Sequence, residues 1–301
     1  MKICLEIDKS INNLNREFLD IGKAINDFYR EFHPMSFRFF SFYTKYTICY
    51  PSNILPSNNF LYWFIGFIEA RGSFIVKNRG ELVFIITQSR KNINILYCIR
   101  EILGFGKVII QSAGVSRYGY IVQNKKEIEV LISLFNGNII LPTKQEQLRY
   151  FIIGFNSWVS KGKIKLEVVD FEYSFILPSL INSWLTGFTD GKGYFTCLIK
   201  NKGYIYSYHI RQKGRDNLRI FELIYSLFKV GKVFLVKDVC IYRISGTMNC
   251  YNIFSYFDRH NLLTYKYRSY ILWKGLYKDL VNKLYYLNKN KKIRIIKKLG
   301  K

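Results

Sequence analysis

Acidic residues and histidines are scarce in this sequence of 301 residues. Its 21 Asp+Glu and 3 His stand against 46 Lys+Arg, so the formal net charge is +25 at pH 7. An excess of this size favours a polyanionic partner, either nucleic acid or an anionic membrane surface. None of the 6 Cys forms a CxxC pair, which argues against a zinc site and favours free thiols in a reducing compartment.

Long apolar runs and targeting signals are also missing. The sequence contains no stretch of ~18 consecutive apolar residues without a charged residue, so we expect no transmembrane helix and no membrane partner. The segment 1–20 carries Glu6, Asp8 and Glu17, which fits neither a secretory signal nor an acid-poor transit peptide.

Aromatic residues, in contrast, are abundant. The 24 Tyr and 25 Phe are interleaved with basic residues, a mixture typical of surfaces where rings stack on bases and cations meet phosphates. An AT-rich genome would enrich the same residue types, and composition alone leaves this alternative open. Hydrophobic residues make up 49% of the chain, enough to bury sizeable cores.

The main body of the chain contains an internal repeat. Residues 61–74 are similar to residues 182–195 at an offset of 121. Close to this offset, further positions match: 105–108 with 230–233, and Lys144 with Lys266. Near-constant offsets over tens of residues indicate a duplicated structural unit rather than a chance match.

Each copy has the same predicted order of a helix, two strands, a helix, two strands and further helices. Strands that alternate apolar and polar residues, backed by helices, predict an α+β fold with an antiparallel sheet in each copy. The predicted segments are an N-terminal helical extension at 1–59 (a helix at 4–32, then irregular chain), a first repeat at 60–157, a linker at 158–176, a second repeat at 177–282 and a basic tail at 283–301.

Two nonapeptides at matching places carry a family resemblance. They are FIGFIEARG at 64–72 and LTGFTDGKG at 185–193, each followed by a strand that bears aromatic residues. With these motifs the chain resembles the LAGLIDADG homing endonucleases in their two-repeat, single-chain form, over about residues 60–282. The resemblance implies two pseudo-symmetric αββαββα repeats whose antiparallel sheets form a saddle.

The glycines of the nonapeptides fit this resemblance. Gly66 and Gly187 each precede a second small residue by four positions, which puts both on one helix face and lets two helices approach closely. Gly72 and Gly193 can adopt positive φ, so we expect them to end the two helices and turn the chain into the sheets.

The resemblance also identifies what has changed. In the family, the acid before the final glycine of each motif binds divalent metal, but Arg71 and Lys192 stand at these positions. A divalent ion ~4 Å from one such cation would meet roughly 8 kcal/mol of repulsion at an effective dielectric of about 20. We therefore expect the Mg²⁺ site and the endonuclease activity to be lost, with no other cofactor.

The other acids of the motifs, Glu69 and Asp190, lie two positions earlier. Two positions on a helix are ~200° apart, so these carboxylates should point away from the shared centre. We expect them to be polar residues of the helix surface or locally paired groups. Metal binding by these acids would instead give an active endonuclease with a displaced site.

Further positions match the family pattern near its cleavage centre: Gln88, Gln212, Lys144 and Lys266. Together with Arg71 and Lys192, the two lysines would form a basic cluster that holds phosphate rather than cleaving it. Alternatively, Gln88, Gln212, Lys144 and Lys266 are polar residues exposed to solvent near the ends of their elements. The predicted nucleic-acid surface comprises Lys77, Arg79, Arg90, Arg117, Tyr118, Tyr120, Lys200, Lys202, Tyr206, Arg211, Lys213, Lys237 and Arg243.

These features predict a catalytically inactive protein, monomeric, that binds and stabilises structured RNA. It would act as a group I intron maturase or as a component of an organellar ribonucleoprotein such as the mitochondrial ribosome, with protein contacts through 1–59. We expect it to be encoded and to work in the mitochondrion or another organelle. Two alternatives stay open: an active or residual site-specific DNA endonuclease, and a DNA-binding protein that does not cut.

Overall fold

The computed structural model describes residues 36–112, 117–161, 166–200 and 203–282. The predicted helix at 4–32 and the basic tail at 283–301 lie outside these ranges. Within them, no helix is long and apolar enough to cross a membrane.

The first repeat follows helix α1 (Phe40–Cys49) and has the predicted order of elements. These are α2 (Asn58–Arg71), β1 (Gly72–Val76), β2 (Leu82–Ser89), a 3₁₀ turn (Arg90–Asn92), α3 (Ile93–Leu103), β3 (Lys107–Ser112), β4 (Arg117–Val122), α4 (Lys125–Phe135) and α5 (Pro142–Lys161). Capping side chains set two of the helix starts, because the side-chain oxygens of Ser57 and Asn124 accept backbone N–H groups of α2 and α4.

The second repeat runs through the same elements. They are α6 (Trp184–Lys192), β5 (Gly193–Lys200), β6 (Gly203–Lys213), a 3₁₀ turn (Arg215–Asn217), α7 (Leu218–Phe228), β7 (Lys232–Val236), β8 (Val239–Ser245), α8 (Thr247–Tyr251), α9 (Phe254–Arg259) and α10 (Lys266–Val281). The sequence pattern predicts one helix over 247–258, whereas the chain forms two short helices in this range.

The eight described strands form two antiparallel four-stranded sheets with equivalent topology. Their strand orders are β1-β2-β4-β3 and β5-β6-β8-β7. This confirms the predicted α+β class and the duplicated antiparallel sheets. Alternation along β6 separates two faces: Tyr206, Tyr208 and Ile210 are buried against helices, whereas His209 and Arg211 lie on the opposite side. We call this opposite side the open face of each sheet.

Helices α2 and α6 pack directly against each other and join the repeats. A Cβ atom on Gly66 would lie 2.0 Å from the carbonyl oxygen of Trp184, and one on Gly187 would lie 1.9 Å from that of Trp63. Only glycine permits this backbone contact. The predicted close approach of the two helices is therefore confirmed.

The expected positive φ at the ends of these helices was wrong. Gly72 and Gly193 have φ of −76° and −86° in extended conformation. Glycine is required there for space instead, because a Cβ atom on Gly72 would lie 2.8 Å from the oxygen of Ile68 and one on Gly193 would lie 2.5 Å from Cγ2 of Thr189.

The segment before the first repeat is partly helical, contrary to the irregular chain expected from residue 34. Helix α1 packs against α4, where Lys45 Nζ lies 2.7 Å from Glu129 Oε1. The Tyr46 hydroxyl donates to the carbonyl oxygen of Leu103 at 3.2 Å. Prolines at both sides of this segment favoured an irregular reading, but burial of Phe42 and Tyr46 in the core stabilises a helix.

Candidate nucleic-acid interface

A cavity of about 610 Å³ lies between the repeats, where α2 and α6 end and the sheets begin. We call it the junction cavity. Residues of both repeats line it. All of its charged lining residues are cations, namely Arg71, Arg117, Lys144, Lys192 and Lys266, and the polar ones include Gln88, Asn92, Gln212 and Tyr265. The structure thus brings the six family-matched positions into one place.

Arg71 and Lys192 are the last residues of α2 and α6. The Nε of Arg71 donates to the carbonyl oxygen of Gly191 at 2.7 Å, which ties the first repeat to the second. Burial lowers the pKa of Lys192, and the charges of Arg71 and Arg211 lower it further. The cations at the two motif ends therefore repel each other across the cavity.

Lys144 and Lys266 lie in the first turns of α5 and α10 and direct their ammonium groups to the ends of α2 and α6. Lys144 Nζ donates to the carbonyl oxygen of Gly72 at 2.6 Å, and Lys266 Nζ donates to that of Thr189 at 3.0 Å. Desolvation by burial lowers the pKa of Lys144 to about 8 and that of Lys266 to about 7, against the attraction of a buried carboxylate behind each.

The residues that line the junction cavity do not fit a divalent metal ion. Mg²⁺ and Ca²⁺ require oxygen ligands, carboxylates above all. No Asp or Glu is among the lining residues, and within the described ranges no group of three or more His, Cys, Asp and Glu could hold a metal. The surrounding ammonium and guanidinium groups would repel a divalent cation and attract an anion such as phosphate.

Glu69 lies outside the cavity and is fully buried. Its carboxylate accepts hydrogen bonds from the backbone N–H groups of Ile140 at 2.9 Å and Leu141 at 2.7 Å, just before α5. The indole Nε1 of Trp184, from the other repeat, donates to it at 2.9 Å. Desolvation raises the pKa of Glu69 to about 7, although these hydrogen bonds favour the charged form.

Asp190 makes the equivalent contacts in the second repeat. It accepts from the backbone N–H of Leu263 at 2.7 Å, from the hydroxyl of Thr264 and from the indole Nε1 of Trp63 at 2.8 Å. Both acids thus point away from the junction, as the helical geometry predicted. The expectation that they are surface groups was wrong, because each organises the start of a helix and binds a tryptophan of the other repeat.

Sequence reasoning missed a second reciprocal contact near the cavity. Asn92 Oδ1 accepts from the backbone N–H of Tyr265 at 3.3 Å, and Asn217 Oδ1 accepts from the hydroxyl of Thr143 at 3.0 Å. Each buried asparagine therefore links its own repeat to the opposite one. The sequence offered one signal for this contact, since the two asparagines stand at matching positions of the two repeats.

Gln88 and Gln212 face the cavity with unequal hydrogen bonding. Gln88 Oε1 accepts from Asn92 Nδ2 at 3.1 Å, and Gln212 Nε2 donates to the carbonyl oxygen of Glu69 at 3.4 Å. The remaining amide atoms, Gln88 Nε2 and Gln212 Oε1, are buried without a protein partner. Buried polar atoms are normally satisfied, so these two are exceptions within the described part of the chain.

Most of the predicted nucleic-acid surface lies on the open faces or at their margins. Arg117, Arg211, Lys213 and Arg243 are exposed on strands, and Lys77, Arg79, Arg90 and Lys237 are exposed in turns beside them. Lys77 is paired with Glu81 at 2.7 Å. Lys202 and the side chain of Lys200 lie outside the described part of the chain.

Three predicted tyrosines do not belong to this surface. Tyr120 and Tyr206 are buried against the helices, where the Tyr120 hydroxyl donates to Phe105 and the Tyr206 ring stacks on Trp273 at a centroid distance of 4.2 Å. Tyr118 is half-buried on the same side of its strand as Tyr120. These rings fill the core, so we withdraw their assignment as base-stacking residues.

Comparison with known proteins places this geometry in a family. A family model described as LAGLIDADG endonuclease matches residues 64–153 and 185–277, which is more than half of the chain and includes both nonapeptides. A solved structure of I-SmaMI bound to an uncleaved DNA target in the presence of calcium ions has a TM-score of 0.63 at 17% identity. That match covers 80% of this chain and 99% of the other.

Two fungal relatives match about three quarters of the chain. A Neurospora crassa protein named "Probable intron-encoded endonuclease 4" is 37% identical over 237 residues, covering 76% of this chain and 42% of the relative. A Schizosaccharomyces pombe protein named "Uncharacterized cox1 intron-2 37.2 kDa protein" is 26% identical over 249 residues, covering 77% of this chain and 70% of the relative. The chain thus spans less than half the length of the first relative.

Proposed function

The chain belongs to the LAGLIDADG endonuclease family, and we propose that it binds structured RNA and does not cut nucleic acid. The observation that carries the proposal is the composition of the junction cavity. Arg71, Lys144, Lys192 and Lys266 line it without a carboxylate. The cavity would hold a phosphate group where other members hold metal ions.

Charge supports a bound polyanion beyond the cavity. The eight described strands contain no Asp or Glu but include Lys107, Arg117, Arg211, Lys213 and Arg243. Phosphate contacts by such residues supply affinity and fix orientation without reading sequence. A scaffold that keeps its interface and its positive charge while losing the metal ligands is what a binding role requires.

RNA is favoured over duplex DNA as the partner by the loss of cutting chemistry. An intron-encoded protein without nuclease activity retains a use if it stabilises the RNA that encodes it, and two relatives are named after introns. We propose intron RNA or an organellar ribonucleoprotein as the binding partner, in the mitochondrion. The second candidate function is DNA binding without cutting. It is favoured by the structural similarity to I-SmaMI, which is bound to a DNA target.

A filter-binding comparison tests the proposal. The full chain is titrated against structured intron RNA and duplex DNA of equal length, and each is then incubated with the protein and Mg²⁺. We expect tighter binding to RNA and no cleavage of either. A clear preference for DNA would contradict the RNA assignment, and Mg²⁺-dependent cutting of the DNA or the RNA would contradict the loss of activity.

Charge-neutral variants locate the contact. Arg71→Gln with Lys192→Gln should lower RNA affinity by about tenfold and reduce the salt dependence by roughly two phosphate contacts. The matched control is Arg219→Gln with Arg259→Gln, which removes two exposed cations of α7 and α9 outside the cavity. Equal losses in both double variants would show that only overall charge matters.

A further inference from the structure

The open faces of the two sheets carry exposed apolar side chains between their cations, and from this we infer that the RNA segment bound on them is unpaired, with its bases against the strands. This inference rests on the proposed RNA binding and names the kind of RNA that the surface fits. It concerns the sheets rather than the junction cavity.

On the first sheet, isoleucines form a diagonal row across all four strands. Ile85 and Ile121 face each other on β2 and β4, with Ile75 on β1 and Ile109 on β3 at either end. Ile75 and Ile109 are 40% and 37% exposed. We call these four residues the isoleucine row.

The second sheet has apolar pairs at two places on its open face. Leu198 faces Ile205 on β5 and β6, and Phe234 faces Ile241 on β7 and β8. Leu198 is 55% exposed and Phe234 is 39% exposed. These pairs flank a polar centre of hydroxyls and cations, where Thr196 and Ser207 are hydrogen-bonded to each other at 2.8 Å.

An aromatic side chain connects the junction cavity to this second open face. The Tyr194 ring lies 5.1 Å from the His209 ring, in a stacked arrangement, and 5.0 Å from the guanidinium of Arg211. Lys266 Nζ, which lines the cavity, lies 5.2 Å from the same ring. A strand whose phosphate occupies the cavity would therefore have an aromatic ring beside its next base.

A paired duplex fits such faces poorly. Bases are read in a duplex by hydrogen bonds from polar side chains to base edges, and isoleucine would leave those edge atoms without partners. Unpaired bases, in contrast, offer apolar π-faces that stack on aromatic and aliphatic side chains while the backbone follows nearby cations. The cations beside the apolar residues include Lys107, Arg117, Lys213 and Arg243.

Charge complementarity selects RNA over a protein as the occupant. No carboxylate stands on any described strand, so a protein with an ordinary mixed surface would leave several cations unpaired when it buried these faces. An unpaired nucleic-acid strand supplies both one negative charge per residue and an apolar ring per residue. Its alternation of phosphate and base matches a face that carries both cations and aliphatic side chains.

Binding to three RNAs tests the inference. We compare a hairpin with a large unpaired loop, the same sequence closed into a perfect RNA duplex by its complement, and duplex DNA. The loop RNA should bind at least about tenfold more tightly than the RNA duplex. The variant Ile109→Ser with Phe234→Ser should lose about tenfold of affinity for the loop RNA and less than about twofold for the duplex.

The matched control is Ile153→Ser with Ile181→Ser, which removes two apolar side chains that are also exposed but lie outside the sheets. It should leave both affinities unchanged, and thermal unfolding of each variant checks that the fold is retained.

The outcomes separate this inference from the proposed function. Equal binding of loop and duplex RNA, with no effect of the sheet variant, would overturn the inference and leave RNA binding intact. Preferential binding of duplex DNA would overturn the proposed function itself. A sheet variant that keeps its RNA affinity but loses a copurifying protein would assign the open faces to a protein partner, against the inference.

Discussion

Each nonapeptide contains two positions, two residues apart, whose side chains differ in burial and in hydrogen bonding. Glu69 and Asp190 are buried carboxylates with several hydrogen bonds each, whereas Arg71 and Lys192 are cations at the edge of a cavity. The first pair holds helix starts and tryptophans in place across the repeat interface. In the second pair, Arg71 Nε donates one hydrogen bond across the repeat interface, and both side chains line the cavity.

This contrast separates what folding requires from what metal chemistry requires. A carboxylate that accepts backbone and indole N–H groups cannot be replaced by a cation, since the buried donors would lose their acceptor. A carboxylate that only binds metal can be replaced without unfolding the chain. The family fold is present here with a junction cavity that is lined by cations and by no carboxylate.

The largest expected effect comes from removing a buried acid. Glu69→Ala or Asp190→Ala should each lower the free energy of unfolding by about 3–5 kcal/mol, because at least three donors lose their acceptor and a buried lysine loses its counter-charge. Urea denaturation followed by circular dichroism measures the change. Arg71→Ala, the control at the other motif position, should cost about 1 kcal/mol or less. Similar losses at both positions would remove the contrast.

A smaller effect on stability but a large effect on ligand choice is expected from restoring acids at the cavity. Arg71→Asp with Lys192→Asp changes the cavity by four charges, so RNA affinity should fall by more than about tenfold and Ca²⁺ binding should become measurable by calorimetry. Arg71→Gln with Lys192→Gln should weaken RNA binding without Ca²⁺ binding. If the aspartate variant binds no Ca²⁺, Lys144 and Lys266 dominate the cavity and positions 71 and 192 do not decide its ligand.

The smallest expected effect is a pH dependence of RNA binding. In the free protein, desolvation by burial lowers the pKa of Lys266 to about 7 and that of Lys144 to about 8. The charge of Lys192 lowers both further, whereas Asp190 and Glu69 oppose the change. A bound phosphate favours the charged lysines, so protons are taken up on binding and affinity should fall severalfold from about pH 6 to about pH 9. Lys266→Arg keeps its charge over this pH range, so it should weaken the dependence of RNA affinity on pH. An unchanged pH dependence would show that Lys266 does not bind the phosphate.

Local sequence patterns were enough to predict most of the described elements. The two nonapeptides, the repeated offsets and the apolar periodicity predicted both sheets and the helices between them, because these signals depend on spacing within one segment. Helix α1 was missed because its stability comes from burial of Phe42 and Tyr46 against the first repeat. The tyrosines of β4 and β6 were misassigned because composition does not tell which side of a strand faces the helices.

The sequence by itself determined the duplicated α+β fold, the glycine contact between the repeats and the cations at the two motif ends, since each follows from residue type at a fixed spacing. Only the tertiary structure decided that Glu69 and Asp190 are interior groups and that Tyr120 and Tyr206 belong to the core. It also brought together the isoleucine row from four strands. The physical reason is that burial and side-chain contacts depend on segments far apart in the chain.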